Sequence, residues 1–339
     1  MVFDVRDLAA LIVIAPMAGG PSTPELAAAG SNAGALGFIA AGYLSADVFA
    51  ERLNAAAELT SAPLGANLFV PHPSAATPES IDRYAAALSP DAHRYGAELG
   101  TPRFSDDDWS AKLDVLLDIR PALVSFTFGL PSAEERRRLS AADIATAATV
   151  TTLAEARQAV EVGVDCLVAQ GPSAGGHRGT FDPTATPSDV PLDDLVATLV
   201  ADLDLPVVAA GGLMTAADVD RVQRAGAVAA QLGTAFLLAD EAGSTAVHRA
   251  ALTDPAFTET TVTKAFSGRF ARGLRNRFID EHEAEAPFGY PEVHYLTGPV
   301  RAASVRAGDP HGTNVWAGTG FDKAVSAPAA QIVEQLRVH

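Results

Sequence analysis

The sequence has very little of what marks secreted, membrane-spanning or nucleic-acid-binding proteins. Among its 339 residues there is one cysteine, Cys166, so no internal disulfide can form. Cys166 lies in an apolar, strand-like run, where inert packing is the expected role. Aromatic residues make up only 6% of the chain, and much of the 48% hydrophobic content is alanine. That balance favours close helix packing over a bulky aromatic core. Basic residues are scarce, 24 Lys and Arg against 41 Asp and Glu, giving a net charge of -17. This argues against general affinity for nucleic acid or anionic membranes, although a small anionic ligand can still meet a locally positive site. No run approaches the ~18 apolar residues of a membrane helix. The opening Met1-Val-Phe-Asp-Val-Arg-Asp7 also lacks the basic start and apolar stretch of a secretory signal. A cytoplasmic protein is expected, and a homodimer is compatible with these features.

What the chain does have is a repeat. Short apolar runs begin at Leu11, Leu36, Leu64, Ala122, Ile144, Cys166, Pro206 and Val228, and alanine-rich, helix-like segments separate them. The runs are continuous rather than alternating, as expected of parallel strands covered on both faces. Helix starts are well marked. Thr23-Pro-Glu and Thr215-Ala-Ala-Asp218 supply N-caps, Thr152-Leu-Ala-Glu155 matches a capping box, and Gly30, Gly163 and Gly226 are the expected stops. Eight strand–helix units predict an α/β fold, a (β/α)8 TIM barrel over residues 1–240. The first strand is not followed by G-x-G-x-x-G, so a Rossmann fingerprint is missing. Residues 71–121 form a long, polar, helix-prone insertion between strands three and four. The triplet Asp106-Asp107-Asp108 before Trp109 suits a helix N-terminus. Residues 241–339 read as a smaller, mainly helical domain packing over the barrel end. Arg269, Arg272, Arg275 and Arg277 cluster there, and either neutralise acidic surface or serve a substrate.

In such a barrel the loops after the strands build the site. The loop after Cys166–Ala169 carries four glycines and His177, a group able to exchange protons near neutral pH. Glycine turns at Gly211-Gly212 and Gly233-Thr234, each preceding a helix, are suited to phosphate, as barrels often are after strands seven and eight. Asn67 is a neutral amide in an otherwise apolar strand. The remaining histidines show no metal spacing, including His282 and His294 beside an acidic stretch, and no metal is expected.

Ala15-Pro-Met-Ala18, Asn67, Gln170-Gly-Pro-Ser-Ala-Gly-Gly-His-Arg-Gly179, Ala210-Gly-Gly212, Gly233-Thr234 and, more weakly, Trp316-Ala-Gly318 occur in an order that covers most of the chain. In these segments the sequence resembles the nitronate monooxygenase family, formerly called 2-nitropropane dioxygenases. The resemblance implies an FMN-dependent barrel that oxidises alkyl nitronates, such as propionate 3-nitronate, with molecular oxygen through a flavin semiquinone. It implies that Gly211, Gly212, Gly233 and Thr234 hold the FMN phosphate. Ala15, Pro16, Met17, Asn67, Thr149 and Gln170 would line the flavin and ribityl chain, with Gly175 passing close to the ring. His177 would face the substrate, either as the base for a neutral nitroalkane or, when protonated, attracting nitronate oxygens. Ser173, Thr149 and Thr319 depart from residues common in the family, which loosens the substrate more than the cofactor. The alternatives are an FMN-dependent NAD(P)H:quinone or enoyl-thioester reductase and a non-catalytic FMN-binding protein.

Overall fold

The computed structural model describes residues 2–338. Its strands are β1 (Ile12–Ile14), β2 (Gly37–Ala40), β3 (Leu64–Phe69), β4 (Leu123–Thr127), β5 (Ala145–Val150), β6 (Cys166–Gln170), β7 (Gly176–His177), β8 (Val207–Ala210), β9 (Ala229–Leu232), β10 (Thr260–Thr263) and β11 (Ala271–Leu274). Eight of these pair in the order β1-β9-β8-β6-β5-β4-β3-β2, all parallel. A parallel bridge between Val13 and Leu36 joins the first and last, closing a (β/α)8 barrel. Each of the eight apolar runs in the sequence supplies one barrel strand. The strands are almost wholly buried because helices cover one face and the barrel interior the other.

The interior of the barrel is filled mainly by small and medium side chains, among them Val13, Ala145, Ala147, Val168 and Val208, with Phe38 as a large aromatic member. Val5 and Leu8 of the N-terminal segment join this cluster. Cys166 packs here too, and burial pushes its thiol up to about 12, so it stays protonated and inert.

The caps read from the sequence form: Thr23, Thr152 and Thr215 each accept a backbone N–H from the first turn of their helices. Two details differ. The helix Pro24–Asn32 runs past Gly30, whose missing Cβ would meet Ile14 Cδ1 at 2.2 Å. Gly30 therefore allows helix and strand to approach and does not end the helix. Glu155 does not close a capping box. Its carboxylate instead accepts from the Thr151 N–H at 2.6 Å and the Phe181 N–H at 2.8 Å, tying its helix to the loop after β7.

The insertion contributes a helix over Pro78–Arg94 and another over Trp109–Ile119. The first packs against the helix Glu292–Arg306. The acidic triplet fastens the insertion to the loop after β2. Asp107 Oδ1 accepts the Tyr43 N–H at 3.0 Å and Asp108 Oδ2 the Ala46 N–H at 3.2 Å, while Lys112 Nζ, fully buried, lies 2.7 Å from Asp107 Oδ2. Asp108 occupies the N-cap without capping through its side chain, so the triplet acts as a tether where the sequence suggested only a helix-dipole role.

After the last barrel strand, β10 and β11 form an antiparallel pair, and β7 adds to β11 as a third strand. The helix Glu292–Arg306 follows, and a final helix, Ala329–Leu336, returns to pack on the barrel helices Pro24–Asn32 and Ala216–Arg224.

Candidate active site

At the C-terminal ends of the barrel strands lies a cavity of about 410 Å³, within the usual range for small ligands. Its walls include Ala15, Pro16, Met17, Asn67, Thr149, Gln170, Gly175, His177, Gly211, Gly212, Gly233 and Thr234, so the fold brings the residues expected to meet cofactor and substrate to one place, while Ser173, Thr319 and the four arginines near residue 270 lie outside its lining.

One end is made of backbone. Gly211 and Gly212 follow β8 with φ of 115° and 74°, the left-handed region that favours glycine. A Cβ on Gly212 would stand 2.6 Å from the Cβ of Ser173. Among the described residues, the N–H groups of Gly212, Gly233 and Thr234 have no protein acceptor. Unpartnered N–H groups at glycine turns are what a phosphate requires. Thr234 Oγ1 accepts the Gly318 N–H at 2.9 Å, and Thr319 N–H reaches Ser173 O at 3.2 Å, so Trp316-Ala-Gly318 closes this end. Gly175 is required by the same closure, since a Cβ there would lie 2.5 Å from the backbone of Ala317 and Gly318.

The middle is neutral and polar. Asn67 sits on β3 opposite Ser125 of β4, and its Nδ2 donates to Ser125 Oγ at 2.9 Å and Thr127 Oγ1 at 3.1 Å. Gln170, at the end of β6, donates from Nε2 to His177 O at 3.0 Å and accepts the Gly179 N–H at 2.9 Å. Gln170 thus clamps the histidine loop from below, while pairing of β7 with β11 holds it from the side.

The other end is lined by His177. Its ring meets Phe128, Tyr290 and Trp316 edge-on, with centroids 5.8, 5.8 and 5.5 Å away. Nε2 lies 2.9 Å from Ser267 Oγ, whose own hydroxyl has a carbonyl acceptor in Arg269 O at 3.2 Å. That network makes His177 Nε2 the donor and leaves the imidazole lone pair on Nδ1. Burial, Arg269 and Arg301 together push its pKa down to about 3. At neutral pH this shift favours the uncharged ring, which suits the base role better than a protonated His177 attracting an anion.

Several lining residues had no signal in the sequence. His294 stacks on Tyr43 at 4.0 Å, and burial with nearby Arg301 lowers its pKa to about 2. His248 donates to Trp316 O at 3.0 Å and is lowered by burial to about 4. Arg301 reaches the wall from the helix Glu292–Arg306. Their partners lie far away in sequence, so no local pattern marks them.

The four arginines near residue 270 divide into two kinds. Arg275 pairs with Glu259 and Asp280, and Arg277 with Asp91 and Glu281, which is charge neutralisation. Arg277 also explains the grouping of Asp91, Glu281 and His282, since its guanidinium supplies the cation between the two carboxylates. Among the described residues Arg269 has no acidic partner. It is 1% exposed, lies 3.9 Å from the centre of the Phe128 ring and donates to Thr180 O. Arg272 is held by Pro172 O at 3.1 Å and Thr260 Oγ1 at 3.2 Å.

This architecture has close counterparts. Residues 5–338 match the family model described as nitronate monooxygenase. The chain is 40% identical over 336 residues to a nitronate monooxygenase of Paraburkholderia phytofirmans, covering 96% of this chain and 90% of that protein. It is 36% identical over 330 residues to a probable nitronate monooxygenase of Staphylococcus aureus, covering 96% and 92%. Among solved structures, a nitroalkane oxidase from Streptomyces ansochromogenes aligns with a TM-score of 0.94 at 45% identity, covering 98% of this chain and 96% of that one. FabK from Thermotoga maritima shares the fold, with a TM-score of 0.74 at 23% identity. The chain belongs to the nitronate monooxygenase family, a family of oxidoreductase enzymes.

Proposed function

We propose that the cavity binds FMN and that the chain uses it to oxidise small alkyl nitronates with molecular oxygen. The observation that carries this reading is the division of one cavity into an end of unpartnered glycine N–H groups and an end built around a neutral histidine. In this reading Gly211, Gly212, Gly233 and Thr234 hold the phosphate of FMN. Ala15, Pro16, Met17, Asn67, Thr149, Gln170 and Gly175 line the ring and the ribityl chain. Bound FMN supplies the electron-accepting chemistry that neither the nitronate nor the side chains possess.

The side chains position and exclude. Phe128, Tyr290 and Trp316 pack edge-on around His177, cover part of its ring and fix its orientation at the cavity wall. A neutral nitroalkane must lose its α-proton before it reacts, and His177 Nδ1 is the acceptor offered. With a pKa near 3 that nitrogen is a weak base. A nitronate arrives already deprotonated and avoids the step, so nitronates are the better substrates in this site.

The test is anaerobic reduction of the purified, flavin-loaded protein with ethyl nitronate, and separately with NADH and NADPH. Bleaching of the flavin by nitronate is expected. Rapid bleaching by a pyridine nucleotide with none by nitronate would move the chain to the reductase reading. A protein that cannot be loaded with FMN would favour a non-flavin role.

A further inference from the structure

Among the described residues lining the cavity there is a single Asp, Glu, Lys or Arg, and it is Arg301. It forms no ion pair among the described residues. Neutral acceptors hold it instead. Nε donates to Thr297 Oγ1 at 3.0 Å, Nη1 to Asn314 Oδ1 at 2.8 Å, and Nη2 to His294 O at 2.8 Å and His294 Nδ1 at 3.2 Å. A guanidinium has five N–H groups, so one on Nη1 is left over. Gly298, one turn earlier on the same helix, leaves room beside it: a Cβ there would meet nothing closer than Arg301 Nη2 at 3.9 Å.

Among the described residues, the other titratable groups lining the cavity, Tyr43, His177, His248 and His294, are uncharged at neutral pH. His177 and His294 are held neutral, Tyr43 and Tyr290 are pushed up by burial, and Arg269 adds positive charge. Arg301 itself, lowered by burial to about 10, remains a cation at neutral pH. Holding a half-buried cation with no ion-pair partner is costly unless an anion joins it.

We propose that Arg301 is the substrate-binding residue that recognises a planar, two-oxygen anionic group, with Asn314, Thr297 and His294 fixing its orientation. Two sources share this chemistry, the nitronate itself and a carboxylate elsewhere on the same small molecule. That the anion belongs to a substrate rests on the nitronate-oxidation reading above.

Nitrate, planar and unreactive, is a suitable probe, and its binding to the flavin-loaded protein can be followed by calorimetry without turnover. Replacing Arg301 by methionine (R301M) should weaken nitrate roughly 10- to 100-fold, the usual range for a charge-assisted hydrogen bond. Asn314→Asp is nearly isosteric and places a carboxylate on Nη1, so it should weaken nitrate in the same direction even if R301M fails to fold. In turnover, a rise in KM for ethyl nitronate in N314D assigns the nitronate as the anion held. A rise confined to propionate 3-nitronate assigns the carboxylate. Unchanged nitrate affinity in a folded variant, or no nitrate binding by the unmodified protein, overturns the proposal. If the unmodified protein does not oxidise nitronates yet loses nitrate on these substitutions, the Arg301 assignment stands and the functional reading fails.

Discussion

Mild acid should destabilise this protein through three histidines that face the cavity. His177, His248 and His294 titrate near about 3, 4 and 2 in the folded chain, against an ordinary value of 6.5. Between those limits the unfolded chain binds more protons than the folded one, so stability rises with pH and falls as pH drops below about 6.5. For one such histidine at pH 5 the loss is RT ln(1 + 10^1.5), about 2 kcal/mol, or about 6 kcal/mol for three. All three are partly exposed to a cavity that admits water, which screens the effect, and roughly 3 kcal/mol is the expected loss between pH 7 and pH 5. Carboxylates held below their ordinary value, such as Asp91, Asp218 and Asp309, lose their contribution only at lower pH, below about 4. The interval from 7 to 5 is therefore a histidine interval. Urea denaturation at pH 7, 6 and 5, at constant ionic strength and saturating FMN, measures the slope. His248→Gln keeps a donor for Trp316 O and removes one titration, so it should flatten the slope by about a third. A stability that does not change from pH 7 to 5, or a variant that runs parallel to the unmodified protein, refutes the reasoning.

Three other outcomes are expected. His177→Asn should lower turnover of neutral nitroethane by about 100-fold or more and affect preformed ethyl nitronate much less; equal losses in steady-state assays would remove the base role. Gly212→Ala places a side chain at φ 74° and 2.6 Å from Ser173 Cβ, costing about 1–2 kcal/mol in backbone conformation alone. Its flavin content, read from absorbance of cofactor released per protein, should fall, and full occupancy contradicts the glycine cradle. Asp107→Ala strands Lys112, which is wholly buried, and frees the Tyr43 N–H. The expected cost is about 3–5 kcal/mol in chemical denaturation, and a cost below about 1 kcal/mol shows the tether to be dispensable.

The barrel was legible because parallel strands covered on both faces become continuous apolar runs, and each of the eight runs appears as one barrel strand. Helix starts were legible for the same local reason, since Thr23, Thr152 and Thr215 cap turns only three residues away. Glycine-rich loops after those strands, and His177 within one of them, could be placed at one end of the barrel by topology alone. Glu155 and Asp107 were misread because their partners, Phe181 and Tyr43, lie outside the helices they seemed to serve.

The sequence by itself determined the repeat, the caps and the glycine turns, all of which depend on interactions over a few residues. Tertiary structure decided the electrical character of the cavity. An acidic chain with a net charge of -17 surrounds a cavity whose single charged lining residue, among those described, is Arg301, and whose His177 is held neutral. Neither property can be read from a spacing. His177 is held neutral because packing covers much of its ring and brings up Arg269 and Arg301 from distant segments. Arg301 is uncompensated because the helix Glu292–Arg306 carries it to a wall where only neutral acceptors meet it. Desolvation and long-range charge are properties of the assembled fold, and no short stretch of sequence carries them.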